Sequence, residues 1–296
     1  MPRTAGGALT LAEEQPLSSR RRWAVRAAVA GVAVAVGAGG WAAASHLLGG
    51  LAAPVCRATA LGESVELDPG QMGHAATITA IAMQRGLPAR AATIALATAI
   101  QESKLRNLRY GDRDSLGLFQ QRPSQGWGTA EQVLDPEHAT NAFYDALVKI
   151  DGYEDMEITE VAQEVQRSAY PQAYADHEQE GRILASALAG HSPGGLGCRL
   201  RDPETPADGA AVAAALKADY GIAGTVSADT VTVRAPSERL AWSVGAWATA
   251  KAGGSGALAV TVEQNRWRRT MEESGLTWAA AGGAAAGART VVITLR

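Results

Sequence analysis

Ala99-Ile100-Gln101-Glu102-Ser103, then a loop from Lys104 to Asp114, then Ser115-Leu116-Gly117-Leu118-Phe119-Gln120-Gln121: this stretch organises the reading of the chain. It sets one acidic residue near the end of an apolar helix, followed by a glycine-flanked apolar turn that ends in two glutamines. That order suits general-acid chemistry on a polar, uncharged polymer such as a glycan. A glycosidic bond breaks through an oxocarbenium-like state, and its leaving oxygen must be protonated as it departs. The acid must therefore hold its proton near neutral pH. In the last helical turn the negative end of the backbone dipole disfavours a carboxylate, and Ile100, Leu118 and Phe119 are apolar neighbours that could desolvate Glu102. The alternative is a solvated helix-end glutamate paired with Lys104 or Arg106.

The chain has 296 residues, room for two domains and a tail. With 27 basic and 30 acidic residues and no basic stripe interleaved with aromatics, nothing favours a nucleic-acid partner. Arg20, Arg21, Arg22 and Arg26 precede an uncharged alanine, valine and glycine run from Ala27 to Ser45. A basic flank before an apolar segment reads as a signal peptide or a transmembrane anchor with its basic side in the cytoplasm. Residues 1–22 are then a cytoplasmic disordered tail and 23–51 the apolar signal/anchor helix. The protein is expected in the cell membrane, single-pass with extracellular domains, or secreted if the helix is cleaved. Its only two cysteines, Cys56 and Cys198, flank the motif-bearing region. In an oxidising compartment they would pair and close its ends together, worth about 4–5 kcal/mol by the loop-entropy model.

Between them the helix punctuation is legible. Asp68-Pro69 pairs an N-cap with proline at the first helical position, and Gly86 ends that helix. Pro88 starts the next, which runs to about Lys104. Asp135-Pro136 opens a helix with Ala139, Phe143, Ala146, Leu147 and Ile150 on one face. Thr159 caps a shorter helix through Ala169, and Tyr174 to Ala189 forms the last. These helices make a domain over 68–191, preceded by a lead-in at 52–67 without clear periodicity. A linker with Pro193, Pro203 and Pro206 follows. Ala210 to Tyr220 and the stretch around Leu240, Val244 and Trp247 read as helices. Thr230 to Val233, Leu258 to Val262 and Thr290 to Leu295 read as strands, giving a small C-terminal α/β domain over 209–296. The fold class is mainly α. The five histidines are scattered without ligand spacing, so no metal and no cofactor is expected.

Glu102-Ser103, the loop ending Asp114-Ser115, and Gly117-Leu118-Phe119-Gln120 resemble the lysozyme-like domain of soluble lytic transglycosylases and goose-type lysozymes, with phenylalanine where methionine is usual. The wider stretch Gly111 to Gly128, with Ala162 to Tyr170, is similar to an actinobacterial branch of that superfamily. The resemblance covers roughly residues 75–190. It implies a lysozyme-like helical fold and peptidoglycan as the partner, cleaved between N-acetylmuramic acid and N-acetylglucosamine. Glu102 matches the single catalytic acid; the sugar's own C6 hydroxyl would be the nucleophile, so no second carboxylate is required. Asp112 or Asp114 would instead be the base of an inverting hydrolase if one stood across the cleft from Glu102.

Gln120 matches the motif glutamine, bonding a sugar or capping a local turn, and Ser115 matches the motif serine. Gln121 joins them as a candidate substrate-binding residue. The family's Tyr-Asn-Ala-Gly-like segment, whose tyrosine orients the acid, is replaced here by Val165-Gln166-Arg167-Ser168, leaving Gln166 or Tyr170 to substitute. Trp127 could stack on a sugar ring or anchor its loop to the core. The C-terminal domain resembles modules appended to cell-wall hydrolases but lacks their histidine motif, so it reads as non-catalytic, with Arg266, Arg268 and Arg269 as a hint of anionic wall polymer. The reading from another class is a non-catalytic lysozyme-fold module that binds cell-wall glycan or a secretion-system partner.

Overall fold

The lead-in that showed no periodicity is a β-hairpin: β1 (Val55–Ala60) and β2 (Glu63–Leu67) pair antiparallel through a turn at Leu61-Gly62. The structure, a computed structural model, describes residues 53–166 and 171–295. The expected cytoplasmic tail, the signal or anchor helix and Tyr170 lie outside the described residues. Among the described residues, no helix is long and apolar enough to cross a membrane.

Six helices follow the hairpin: α1 (Pro69–Gln84), α2 (Ala89–Ser103), α3 (Ala130–Val133), α4 (Pro136–Leu147), α5 (Ile158–Gln166) and α6 (Glu178–Leu188). The starts of α1, α2 and α4 follow the expected punctuation, whereas α5 begins at Ile158 with the expected cap Thr159 already inside it and α3 is an unexpected short helix. Asp68 and Gln71 form a reciprocal capping box on α1, with Gln71 N donating to Asp68 Oδ1 at 2.9 Å and Asp68 N to Gln71 Oε1 at 3.0 Å. Asp135 accepts from Glu137 N at the head of α4, with Pro136 at its first position. The expected last helix begins later, because Pro171–His177 is a 3-10 turn that delivers the chain into α6. Where α6 crosses α2, Gly181 lies so near that a Cβ would stand 2.8 Å from the Thr93 carbonyl. Only a residue without a side chain allows that approach.

The chain then returns to the hairpin. Strand β3 (Leu196–Arg199) pairs antiparallel with β1, in the sheet order β2-β1-β3. Cys56 and Cys198 are directly opposed in that register and form a disulfide. The entry and exit of the helical segment thus meet on adjacent strands.

The remainder contributes α7 (Gly209–Tyr220), β4 (Thr225–Val226), β5 (Thr230–Arg234), α8 (Glu238–Ser255), β6 (Ala259–Val262), β7 (Asn265–Arg268), β8 (Ala279–Ala280) and β9 (Thr290–Thr294). All six strands form one sheet, ordered β4-β5-β9-β6-β7-β8 and antiparallel throughout. Helix α8 is buried nearly all round, from Ala241 to Ala252, because α1, α6, β3 and the larger sheet all pack against it. From Ala53 onward the chain forms one compact unit.

A buried polar cluster joins α1, α7 and α8. Asp219 Oδ2 accepts from Trp247 Nε1 at 2.6 Å and Thr77 Oγ1 at 3.1 Å, with Lys251 Nζ at 3.4 Å. Trp267 is fully buried, and its N–H reaches Gly275 O at 2.7 Å and Cys198 O at 3.2 Å, so β3 is held from the C-terminal side as well. Arg269 bonds the carbonyls of Arg201, Ala252 and Ala257, which gives its guanidinium a structural task.

Candidate active site

The site begins at the C-terminal end of α2. Lys104 and Leu105 both lie in the left-handed region, at φ 53° and 58°. That conformation costs non-glycine residues free energy, and bonds from α1 hold it. Gln71 Nε2 donates to the Lys104 carbonyl at 2.6 Å, and His74 Nδ1 is bonded to the Leu105 carbonyl at 2.7 Å. Asp68, the α1 cap, also pairs with Arg106. The two helices therefore stop the chain just after the Glu-Ser pair.

Ser103 explains why a serine follows the glutamate. Its buried hydroxyl lies 2.7 Å from the Leu118 carbonyl and 3.0 Å from the Ala99 carbonyl, stitching the glycine-flanked turn to the helix end. The turn itself is a narrow paired element, with bridges Leu108–Gly117 and Leu116–Gln121. Gly117 sits at φ 79°, and a Cβ there would stand 2.4 Å from the Val133 carbonyl. Leu118 and Phe119 are fully buried, and Phe119 stacks on Phe143 of α4 with ring centroids 4.6 Å apart.

Glu102 is half-buried, and Tyr174 donates its hydroxyl to Glu102 Oε1 at 2.5 Å. Tyr174 is itself fully buried and comes from the 3-10 turn before α6. Three residues on, His177 bonds Gln101 Oε1 through Nε2 at 3.1 Å and Glu180 Oε2 through Nδ1 at 3.0 Å. The helix end carrying the acid is thus gripped by one turn at two successive residues. Sequence reasoning named Gln166 and Tyr170 for this position and missed Tyr174. Pro171 was the available signal, since a proline there ends one element and starts the tight turn that aims Tyr174 inward. Gln166 is the last residue of α5.

The other candidates serve the loop. Gln120, at φ 49°, donates to the Gly117 carbonyl at 3.2 Å, the local-turn role. Gln121 is buried and donates to the Ala139 carbonyl of α4 at 3.1 Å. Ser115 is buried, and its N–H closes a turn on the Asp112 carbonyl. Asp114 accepts from Ser124 N at 2.8 Å, Arg122 Nε at 3.0 Å and Ser124 Oγ at 3.0 Å. Those bonds, the Ser124 N–H foremost, hold its carboxyl well below the usual carboxylate range. Asp112 is exposed, 3.9 Å from Arg113. Both acids thus have partners within their own loop.

A cleft of about 860 Å³ is lined by Trp127, His138, Asp145, Lys149, Glu164 and Val165 among others, and neither Glu102 nor Tyr174 is in its lining. Trp127 packs against the core while lining the cleft, and its carbonyl is 3.3 Å from His138 Nε2. Among the described residues, no three His, Cys, Asp or Glu side chains gather as a metal-binding group. No protein-family model matches this chain, and no curated protein matches it either.

Proposed function

We propose that the protein is an exported peptidoglycan-cleaving enzyme of the lytic-transglycosylase kind, breaking the bond between N-acetylmuramic acid and N-acetylglucosamine. Glu102 is its single acid and base. The observation that carries this reading is the bond from the buried Tyr174 hydroxyl to half-buried Glu102, which supplies the orienting tyrosine that the lysozyme-like resemblance calls for. In the first step the Glu102 carboxylic acid gives its proton to the glycosidic oxygen as the C1–O bond breaks. In the second, the resulting carboxylate takes the proton of the C6 hydroxyl while that oxygen bonds to C1, which yields a 1,6-anhydro end. The engagement of Asp114 with Arg122 and Ser124 favours this one-carboxylate route over inverting hydrolysis.

The arginine cluster before the apolar run supports export, as does the disulfide, a bond of oxidising compartments. The helical and C-terminal parts would then face the wall, with the chain membrane-anchored or released after signal cleavage.

Incubating the full chain and its Glu102→Gln variant with purified peptidoglycan tests the proposal. Soluble products with anhydro ends from the native protein alone are the expected result. Reducing ends would make it a hydrolase, and absence of cleavage by the native protein would refute the enzymatic reading. The inward engagement of Gln120 and Gln121 favours a second reading, a non-catalytic lysozyme-fold module that binds cell-wall glycan. Sedimentation with peptidoglycan without cleavage would support that one.

A further inference from the structure

A second groove, of about 600 Å³, opens where the three-stranded sheet meets the C-terminal part of the chain. Its walls include Thr59 of β1, Ser192 of the loop before β3, Trp242 of α8, Asn265 of β7, and Thr277 and Trp278. None of its lining residues is charged. Its floor is aromatic: Trp242 and Trp278 meet edge to face, with ring centroids 5.3 Å apart and planes at 64°. The Trp278 indole is fixed in place, because its N–H donates to the Leu196 carbonyl at 2.7 Å. Gly245 of α8 packs against Val262 of β6, where a Cβ would stand 2.4 Å from Cγ2, and faces the edge of the Trp278 ring at ordinary contact distance. Gly194 runs past the ring on the other chain segment, its would-be Cβ at 3.7 Å. Trp278 remains half-exposed, and Thr59 and Thr277 beside it are exposed.

A rigid indole surface rimmed by hydroxyls and an amide suits a ligand with an apolar ring face and neutral polar edges. A pyranose has that form. A charged peptide or an anionic polymer would lose hydration there without gaining a counter-charge. We infer that this groove is a second glycan site, separate from Glu102, that holds a neutral N-acetylglucosamine unit of the glycan strand. The stacking and the neutrality come from the groove itself; the choice of sugar rests on the peptidoglycan reading of Glu102. Such a site would keep the enzyme on its polymer between cleavage events.

The test uses the full chain labelled with 5-fluorotryptophan, with the Trp278 resonance assigned by Trp278→Phe. Titration with the hexamer of N-acetylglucosamine is expected to shift the Trp278 signal saturably, in the native protein and in Glu102→Gln alike. Thr277→Arg places a bulky charge at the exposed rim and is expected to weaken that titration by about tenfold or more, and Asn265→Ala weakens it without adding bulk. A Trp278 signal that does not move, or that titrates identically in both variants, overturns the inference. A shifting signal in a protein that fails to cleave peptidoglycan removes the Glu102 reading and keeps the groove. Cleavage without the shift does the reverse.

Discussion

Replacing Tyr174 with phenylalanine removes one oxygen and leaves the buried ring in place. The lost bond, 2.5 Å from a buried hydroxyl to a half-buried carboxyl, passes from a neutral acceptor to a charged one as Glu102 gives up its proton in the proposed reaction. The difference between the two classes of bond is about 1–1.5 kcal/mol. If the bond serves to orient the acid, its loss falls mainly on the chemical step. A loss of that size corresponds to a fall of about five- to tenfold in kcat, with KM little changed. The stability effect should be modest, since the ring still fills its cavity; each 1 kcal/mol lowers Tm by about 2–4 °C in a unit of this size. Turnover of solubilised peptidoglycan and thermal unfolding of the same preparations separate the two effects. A Tyr174→Phe enzyme that keeps native kcat while losing Tm would show that the tyrosine only braces the fold, and the orienting argument would fail.

Three other outcomes follow from geometry. Cys56→Ser should lower the unfolding free energy by up to about 5 kcal/mol, the loop-entropy value for a crosslink spanning 142 positions; denaturant titration with and without reductant measures it, and a native protein indifferent to reductant would contradict it. Gly117→Ala forces a Cβ to within 2.4 Å of the Val133 carbonyl at a left-handed φ, so it should cost well over about 1 kcal/mol, seen as a lower denaturation midpoint; an unchanged midpoint would mean the loop relaxes freely. Burial holds the His74 imidazole below its usual 6.5, so the unfolded chain binds the proton more readily and stability is lost as pH falls from 6.5 through the folded value. Unfolding free energies at stepped pH should show a steeper acid-side loss for the native protein than for His74→Gln, and parallel curves would rule His74 out as the cause.

The helical frame was readable because its signals are local. Asp68-Pro69 and Asp135-Pro136 cap α1 and α4 with their own side chains, and no distant partner is needed. The hairpin was hidden for equally local reasons. Its buried positions are Cys56, Ala58 and Ala60, small residues that give a weak alternation, and its turn uses Leu61 at φ 56° where asparagine or glycine would announce it. The Glu-Ser and Gly-Leu-Phe-Gln elements were read as one site, and Ser103 does bond the Leu118 carbonyl across fifteen positions. The spacing reads Tyr174 as the first residue of the last helix, and Pro171 is the one local sign of the 3-10 turn that sends its ring toward Glu102. Asp219 was unreadable, since its partners Thr77, Trp247 and Lys251 lie on two other helices.

The cross-strand disulfide has a consequence for what a protease can do to the chain. Because Cys56 and Cys198 bracket every residue of the helical segment, a single cut anywhere in the surface loop from Lys104 to Asp114 severs the backbone without releasing a fragment. The nicked protein would migrate as one species on a non-reducing gel and as two after thiol treatment. The pieces would also stay at a local concentration high enough to remain assembled.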